Sequence, residues 1–330
     1  MTQKENSQRK KEFTRREALW IGAIGLAQLG ILSTAAAGWW NLRPQPERPQ
    51  VNLFELHNPP SKEQNLSGKL PLKIAVASVI SPMENVNLYG DLLNQIGERV
   101  NMNVEMVQRE NYSETNRLVE NGEVQIAFIC SGALLGSLKS SVGQEILATP
   151  QIAGSTTYRS YIIVPASSNA QSILDLRGKN FAYMDPLSFS GRIAPQAMVK
   201  KLGFNPENFF SKTLFTYSHD KSIRAVADGI VEGAAVDSIV YDLTLAKDAG
   251  IQGKIKVIDQ SEEVGNPPVI VSNKTDKELV ARLKNTLMTM HMDEEGRKAM
   301  TLLHFDRFVH PDPRLYDRVW EMAREVGISQ

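Results

Sequence analysis

The chain is poor in cysteine, in net charge and in closely spaced histidines, and each shortage excludes a class of protein. Its 330 residues include one cysteine, Cys130, which excludes an intramolecular disulfide and a cysteine-rich metal site. Basic and acidic residues both number 37, so no net positive field favours nucleic acid. None of the five histidines has the His-x-x-x-His spacing of a helical zinc site. Any anion must therefore be bound by a local site, and no cofactor or metal is indicated.

Charge is also missing from residues 18–40, which follow a basic segment at residues 1–17. A stretch of this length is about what a helix needs to cross roughly 30 Å of hydrocarbon. The basic flank is predicted to stay in the cytoplasm, which places the rest of the chain outside. Arg15-Arg16 partly resembles a twin-arginine export signal, and three alanines at 35–37 offer a cleavage site. A tryptophan pair at 39–40 instead suits a retained anchor, so a cleaved signal and an uncleaved anchor both remain open.

Residues 41–69 are rich in Pro, Asn, Gln and Ser and are predicted to form a flexible linker. Beyond them, short apolar runs alternate with helical periodicity, and the pattern restarts after Gly154. Such alternation predicts an α/β protein with parallel sheets covered on both faces. We expect two lobes, the first from residues 70–158 and 266–330 and the second from 159–265. The chain after Ser272 is predicted to be three helices.

The turn at Asp185–Gly191 is the most informative candidate for a binding site. Ser188, Ser190 and Gly191 lie where a predicted strand gives way to a helix. Ligands in open α/β sheets bind at the carboxyl ends of strands, and a helix N-terminus offers free N–H groups to an anion. Serine is also a favoured N-cap that needs no ligand, so an ordinary capped helix remains the alternative.

Four further residues occupy comparable positions. His219 could donate to an oxyanion, or be a surface or capping histidine. Asp237 ends a buried strand and could accept a proton, pair with an amine or cap a helix. Ser131 follows the end of a strand in the first lobe and would be the counterpart of the serine turn across a cleft. Tyr158 lies at the junction between the lobes. We interpret Cys130 as a core residue.

Five segments together resemble the substrate-binding proteins of phosphonate, phosphite and phosphate ABC transporters. They are Asp185–Gly191, Asn208-Phe209-Phe210, Ser218-His219-Asp220, Ala235-Val236-Asp237-Ser238 and Pro267–Val271. The resemblance spans about residues 72–309 and implies a two-lobed type 2 periplasmic-binding-protein fold. By similarity, Ser188, Ser190, the Gly191 amide and His219 would bind oxyanion oxygens, and Tyr158 and Asp237 would contact the rest of the ligand.

Two features depart from the family pattern. Phe189 stands where the family has a serine or threonine, which removes a donor and adds bulk. Ala133-Leu134-Leu135 follows Gly132, where the family has a proline and a tyrosine. An apolar wall there would suit a ligand with a hydrocarbon part, or a protein that no longer transports phosphonates.

The residues and the resemblance predict an extracytoplasmic, monomeric solute-binding domain that closes around a small oxyanion and delivers it to an ABC transporter permease. A membrane-tethered ligand sensor with the same fold is the alternative, which an uncleaved segment 18–40 would favour. An enzyme is not expected, because no nucleophile with a base is visible; His219 and Asp220, adjacent on a helix, do not face each other.

Overall fold

Two separate β-sheets form the framework of the folded part. The computed structural model describes residues 70–137 and 144–328, which all belong to the compact unit Asn65–Gln330. The segments predicted as basic region, signal or anchor, and linker lie outside the described residues. Within 70–137 and 144–328, no helix combines the length and apolar character needed to cross a membrane.

The strands are numbered here in chain order. They are β1 Leu72–Val76, β2 Val104–Val107, β3 Ile126–Phe128, β4 Gln144–Ile152, β5 Thr157–Tyr158, β6 Ser160–Pro165, β7 Asn180–Tyr183, β8 Lys212–Phe215, β9 Gly233–Asp237, β10 Ile255–Gln260, β11 Val264–Gly265, β12 Val269–Ser272 and β13 Phe305–Val309. The first sheet has the order β13-β4-β12-β3-β1-β2, and the second has the order β10-β6-β9-β7-β8. Strands from both ends of the described chain therefore share the first sheet.

The helices are also numbered in chain order. They are α1 Pro82–Val100, α2 Tyr112–Glu120, α3 Leu134–Ser137, α4 Ala194–Lys201, α5 His219–Ala227, α6 Ser238–Lys247, α7 Lys277–Thr289, α8 Glu294–Thr301 and α9 Asp317–Glu325. In α1, proline at the first position suits the helix start, and Asn101 ends the helix in the left-handed region at φ 53°. Its buried Leu92, Leu93 and Ile96 follow helical spacing, so one face of α1 covers the first sheet.

The prediction of parallel sheets is only partly correct, because both sheets are mixed. Within residues 70–137 and 144–328, parallel pairing is confined to β1 with β2 and β3, and to β7 with β8 and β9. In contrast, β12 is antiparallel to β3 and β4, and β6 is antiparallel to β9 and β10. The reason is that β6 and β12 enter their sheets directly from crossing segments rather than through a helix, so they run in the opposite direction.

The all-helical tail is also only partly correct. Helices α7, α8 and α9 form as expected, but Phe305–Val309 is an additional strand, β13, at the edge of the first sheet. Its partner β4 supplies backbone hydrogen bonds that a helix would not use. Only Phe308 of this strand is fully buried, so periodicity gave little signal for it.

The two sheets are connected by a short antiparallel ribbon of β5 and β11. Tyr158 pairs with Val264 and Thr157 with Gly265, so both crossing segments run side by side. The predicted lobe limits at 158/159 and 265/266 fall at this ribbon, and we retain them as the proposed limits. Because each crossing segment is paired over only two residues, this is the position where a hinge would lie.

One hydrophobic core extends across both lobes. Ile129, Cys130 and Ala133 of the first lobe share a buried cluster with Phe189 and Ile193 of the second. The other core clusters cover the remaining faces of the two sheets. The carboxyl ends of β3 and β7 are thereby brought together, which positions the candidate site.

Candidate functional site

The serine turn connects β7 to α4 through one π-helical turn, Phe189–Ile193. Ser188 caps this turn, because its Oγ accepts a hydrogen bond from the Gly191 N–H at 2.9 Å. The Gly191 amide, which the resemblance predicts to bind an oxyanion, thus donates its N–H within the turn in this structure. A side chain on Gly191 would meet the Met184 Cβ at 2.3 Å, so close packing requires glycine. Ser188 and Ser190 are both fully buried.

His219 lies beside this turn, at the first position of α5, and it is fully buried. Its Nδ1 accepts a hydrogen bond from the Asp237 N–H at 3.2 Å, which leaves the proton of a neutral imidazole on Nε2. Nε2 lies 3.5 Å from the Ser190 Oγ. Burial lowers the His219 pKa to about 3, so the ring is neutral at physiological pH. The side chain is therefore a neutral donor aimed at the serine turn.

Asp237 ends β9 and caps α6. Its Oδ1 accepts hydrogen bonds from the Ile239 and Val240 amides at 2.7 and 3.3 Å. Of the three roles left open by the sequence, capping is thus present. Burial raises the Asp237 pKa to about 7, because the charged form is poorly solvated. Through its backbone N–H, the residue also fixes the tautomer of His219.

Ser131 and Tyr158 lie on the other side of the junction. The Ser131 hydroxyl donates to the Gly265 carbonyl on the crossing strand at 2.7 Å, so it supports the ribbon. Tyr158 is buried, and its hydroxyl lies 3.8 Å from the Cys130 Sγ. Cys130 is a core residue, as interpreted from the sequence.

Phe189 occupies the space between the two turns. Its side chain is fully buried and meets the Tyr158 ring edge-on, with centroids 5.8 Å apart. The turns themselves touch, because a side chain on Gly132 would meet the Leu187 carbonyl oxygen at 2.2 Å. The bulky Phe189 side chain is therefore packed into the hydrophobic core that extends across both lobes.

Sequence reasoning missed two carboxylates that bind the opposite lobe. Asp185 Oδ2 accepts a hydrogen bond from the Tyr112 N–H at the start of α2, at 3.1 Å. Asp220 Oδ1 accepts one from the Ser81 N–H just before α1, at 3.0 Å. Both follow strand ends, where acidic residues ordinarily cap their own helix, so the sequence contained no signal for a distant partner.

Two buried hydroxyls near the site were also missed. The Tyr112 Oη and the Ser218 Oγ have no hydrogen-bond partner among the described residues. Burial raises the pKa of Tyr112, and the nearby Cys130 and Asp185 raise it further. Ser218 directly precedes His219. For Ser218 this position was the available signal, but serine before a helix is usually a cap, and for Tyr112 the sequence contained no signal.

The part of the chain described at 70–137 and 144–328 contains no group of three His, Cys, Asp or Glu side chains placed to hold a metal ion. The junction instead combines hydroxyls, one neutral imidazole and helix N-termini. Such a set can donate hydrogen bonds to an anion without requiring a charged side chain.

Comparison with known proteins agrees with this chemistry. The family of periplasmic substrate-binding proteins of phosphonate ABC transporters matches residues 74–316. The phosphate-import protein PhnD of Mycolicibacterium smegmatis is 24% identical over 235 residues, which span 65% of this chain and 70% of that protein.

Two solved structures have a similar fold. A binding protein component of an ABC phosphonate transporter from Pseudomonas aeruginosa has a TM-score of 0.71 at 21% identity, covering 77% of this chain and 86% of that chain. PhnD1 from Prochlorococcus marinus, in complex with methylphosphonate, has a TM-score of 0.69 at 15% identity, covering 78% and 98%.

These similarities confirm the two-lobed type 2 periplasmic-binding-protein fold. The family match covers well over half of the chain and implies a location outside the cytoplasm. The chain belongs to the family of periplasmic substrate-binding proteins of phosphonate ABC transporters, and it is a solute-binding component rather than an enzyme.

Proposed function

We propose that this protein binds a small phosphorus oxyanion, phosphate-like or phosphonate-like, at Ser188, Ser190 and His219, and passes it to an ABC transporter permease. The observation that carries the proposal is the fixed tautomer of His219. Because Nδ1 accepts from the Asp237 N–H, the neutral ring offers its Nε2–H toward Ser190. A neutral donor can bind an anion without first losing or gaining a proton.

The Ser188 hydroxyl remains a donor while its oxygen accepts from Gly191, since a hydroxyl can do both. The first lobe would add the Tyr112 and Tyr158 hydroxyls, which are buried beside the turn. Contacts from both lobes would make the closed state more favourable than the open state. The names of the relatives, a phosphate importer and a methylphosphonate complex, support this ligand class.

A second candidate is a membrane-tethered ligand sensor, supported by the uncharged segment 18–40 and its tryptophan pair at 39–40. The transport proposal instead assigns residues 1–37 to a cleaved export signal, of which Arg15-Arg16 would be the twin-arginine element. The N-terminal sequence of the protein isolated from cells distinguishes the two. A new N-terminus after Ala37 supports the signal, whereas retention of Trp39 and Trp40 with the preceding segment supports the tether.

The binding site is tested by calorimetric titration of the full chain with phosphate, phosphite, methylphosphonate and sulfate. We expect at least one phosphorus oxyanion to bind to the monomeric protein at one site per chain. The double variant Ser190→Ala with His219→Ala should bind this oxyanion with an affinity lower by about 100-fold or more. This loss corresponds to two charge-assisted hydrogen bonds at roughly 1.5–3 kcal/mol each. The control combines Ser167→Ala with His310→Ala, both exposed, and should bind normally. Unchanged affinity in the first double variant would overturn the assignment.

A further inference from the structure

A cavity lies between the two lobes, next to the proposed oxyanion site. The first lobe lines it with Tyr89, Phe128 and Phe305, and the second lobe lines it with Asp237, Ile239 and Leu243, among others. Its volume is about 50 Å³. Since a water-sized group needs roughly 10–15 Å³ on this measure, the cavity has room for about three to five non-hydrogen atoms.

The cavity wall is joined directly to His219. The Val79 carbonyl, part of the wall, accepts a hydrogen bond from the His219 N–H at 2.9 Å. Asp237, also in the wall, donates its N–H to the His219 Nδ1. Phe189 and Tyr158 belong to the core on the hinge side and are not part of this wall. The cavity wall therefore lies next to His219, on the side of its backbone N–H and Nδ1, while Phe189 fills the space near the hinge.

The chemistry of the wall favours a hydrocarbon. Among the described residues that line the cavity, Asp237 and Tyr89 are the only ones with polar side chains. Tyr89 also packs edge-on against Phe128, with centroids 5.2 Å apart. The Asp237 Oδ1 already accepts two backbone amides, which leaves Oδ2 as its available oxygen.

An ammonium group fits this wall poorly. It has three N–H donors, and donors buried without acceptors are costly. Burial also raises the Asp237 pKa to about 7, so ionising this carboxyl becomes unfavourable below neutral pH, which weakens its pairing with a cation there.

We propose that this cavity binds an uncharged alkyl substituent of about three or four carbon atoms on the phosphorus oxyanion, and that it disfavours aminoalkyl substituents. The inference rests on the proposed function, because His219 and the serines must hold the oxyanion end.

The test is calorimetric titration of the full chain with methyl-, ethyl- and propylphosphonate, and with 2-aminoethylphosphonate, which has as many non-hydrogen atoms as the propyl compound. We expect affinity to rise roughly fourfold for each methylene group added to methylphosphonate. Propylphosphonate should bind at least tenfold more tightly than 2-aminoethylphosphonate. Equal or tighter binding of the amine, or no gain from methyl to propyl, overturns the proposal.

A matched pair of variants locates the effect. Leu243→Phe fills the cavity and should remove the gain from methyl to propyl while leaving methylphosphonate affinity within about threefold. Leu245→Phe, on the same helix but outside the wall, should keep the gain. A gain that persists in Leu243→Phe counts against this cavity.

If phosphate and all four phosphonates fail to bind the unmodified chain, the proposed function itself fails. If methylphosphonate binds but affinity does not depend on the length of the alkyl chain, only this inference is overturned.

Discussion

The second lobe brings polar groups to the junction, whereas the first lobe brings mainly apolar side chains. Ser188, Ser190 and His219 are buried on the second lobe's side. Opposite them, Cys130 and Ala133 belong to the shared core, and the Ser131 hydroxyl is directed to the crossing strand. Under the proposed function, the second lobe would supply most of the groups that bind the anion, and the first lobe would add the Tyr112 and Tyr158 hydroxyls and close over the anion mainly by apolar packing.

Phe189 tests that division most strongly, because it is the second lobe's apolar contribution to the first lobe's core. Phe189→Ala should lower the free energy of unfolding by about 3–5 kcal/mol, through lost burial and a cavity between the lobes. Urea denaturation measures the change. Phe204→Ala, at a partly exposed position within the second lobe, is the control and should cost clearly less. Equal costs for both variants would mean that Phe189 does not join the lobes.

The buried titratable groups of the second lobe give a pH signature that the apolar face of the first lobe does not. Asp237 ionises near pH 4 when unfolded but with a pKa of about 7 when folded, because of burial. Between these values the unfolded state has released a proton that the folded state retains. The free energy of unfolding therefore falls as pH rises from about 4 to 7.

His219 gives the opposite slope. Its folded pKa of about 3 lies below the unfolded value, so stability is complete above about pH 6.5 and is lost as pH falls toward 3. Asp237→Asn removes only the first effect, and asparagine keeps an oxygen that can cap α6. Relative to the unmodified chain, the variant should gain on the order of 2–4 kcal/mol between pH 4 and 7. If the free energy of unfolding changes equally in the variant and in the unmodified chain between pH 4 and 7, the raised pKa of Asp237 is contradicted.

A smaller effect concerns the carboxylates that extend from the polar lobe to the other. Asp185→Asn and Asp220→Asn each weaken a hydrogen bond to an amide of the first lobe, at Tyr112 and Ser81. We expect each variant to destabilise the closed state relative to the open state by about 0.5–2 kcal/mol, the usual range for a lost cap. Small-angle X-ray scattering of the protein without added ligand should show a larger radius of gyration. Asp175→Asn, whose carboxylate caps a turn within the second lobe, should leave the radius unchanged.

The sequence predicted those parts of the fold that depend on local pattern. Apolar runs located β1 and β9, and the strand-to-helix turn at Ser188 was found because polar residues follow a buried strand. Direction of pairing was missed, since antiparallel β12 reads like any buried strand.

The site was less predictable than the fold, because its geometry depends on distant partners. The Asp237 N–H that fixes the His219 tautomer lies 18 residues away, and the Tyr112 amide lies 73 residues from Asp185. The hydrogen bond from the Gly191 N–H to the Ser188 Oγ, three residues earlier, was not predicted either. Residue types indicate which groups can bind an anion, but only the folded arrangement shows which groups are available.

The most direct test of this account is NMR of the His219 imidazole during titration with the phosphorus oxyanion that binds best. Its signals are assigned among the five histidines by their loss in His219→Asn. We expect a neutral ring protonated on Nε2 before and after binding, with an Nε2–H shift that changes in step with saturation. Saturating binding that leaves the His219 signals unchanged would contradict the claim that the second lobe recognises the anion through this ring.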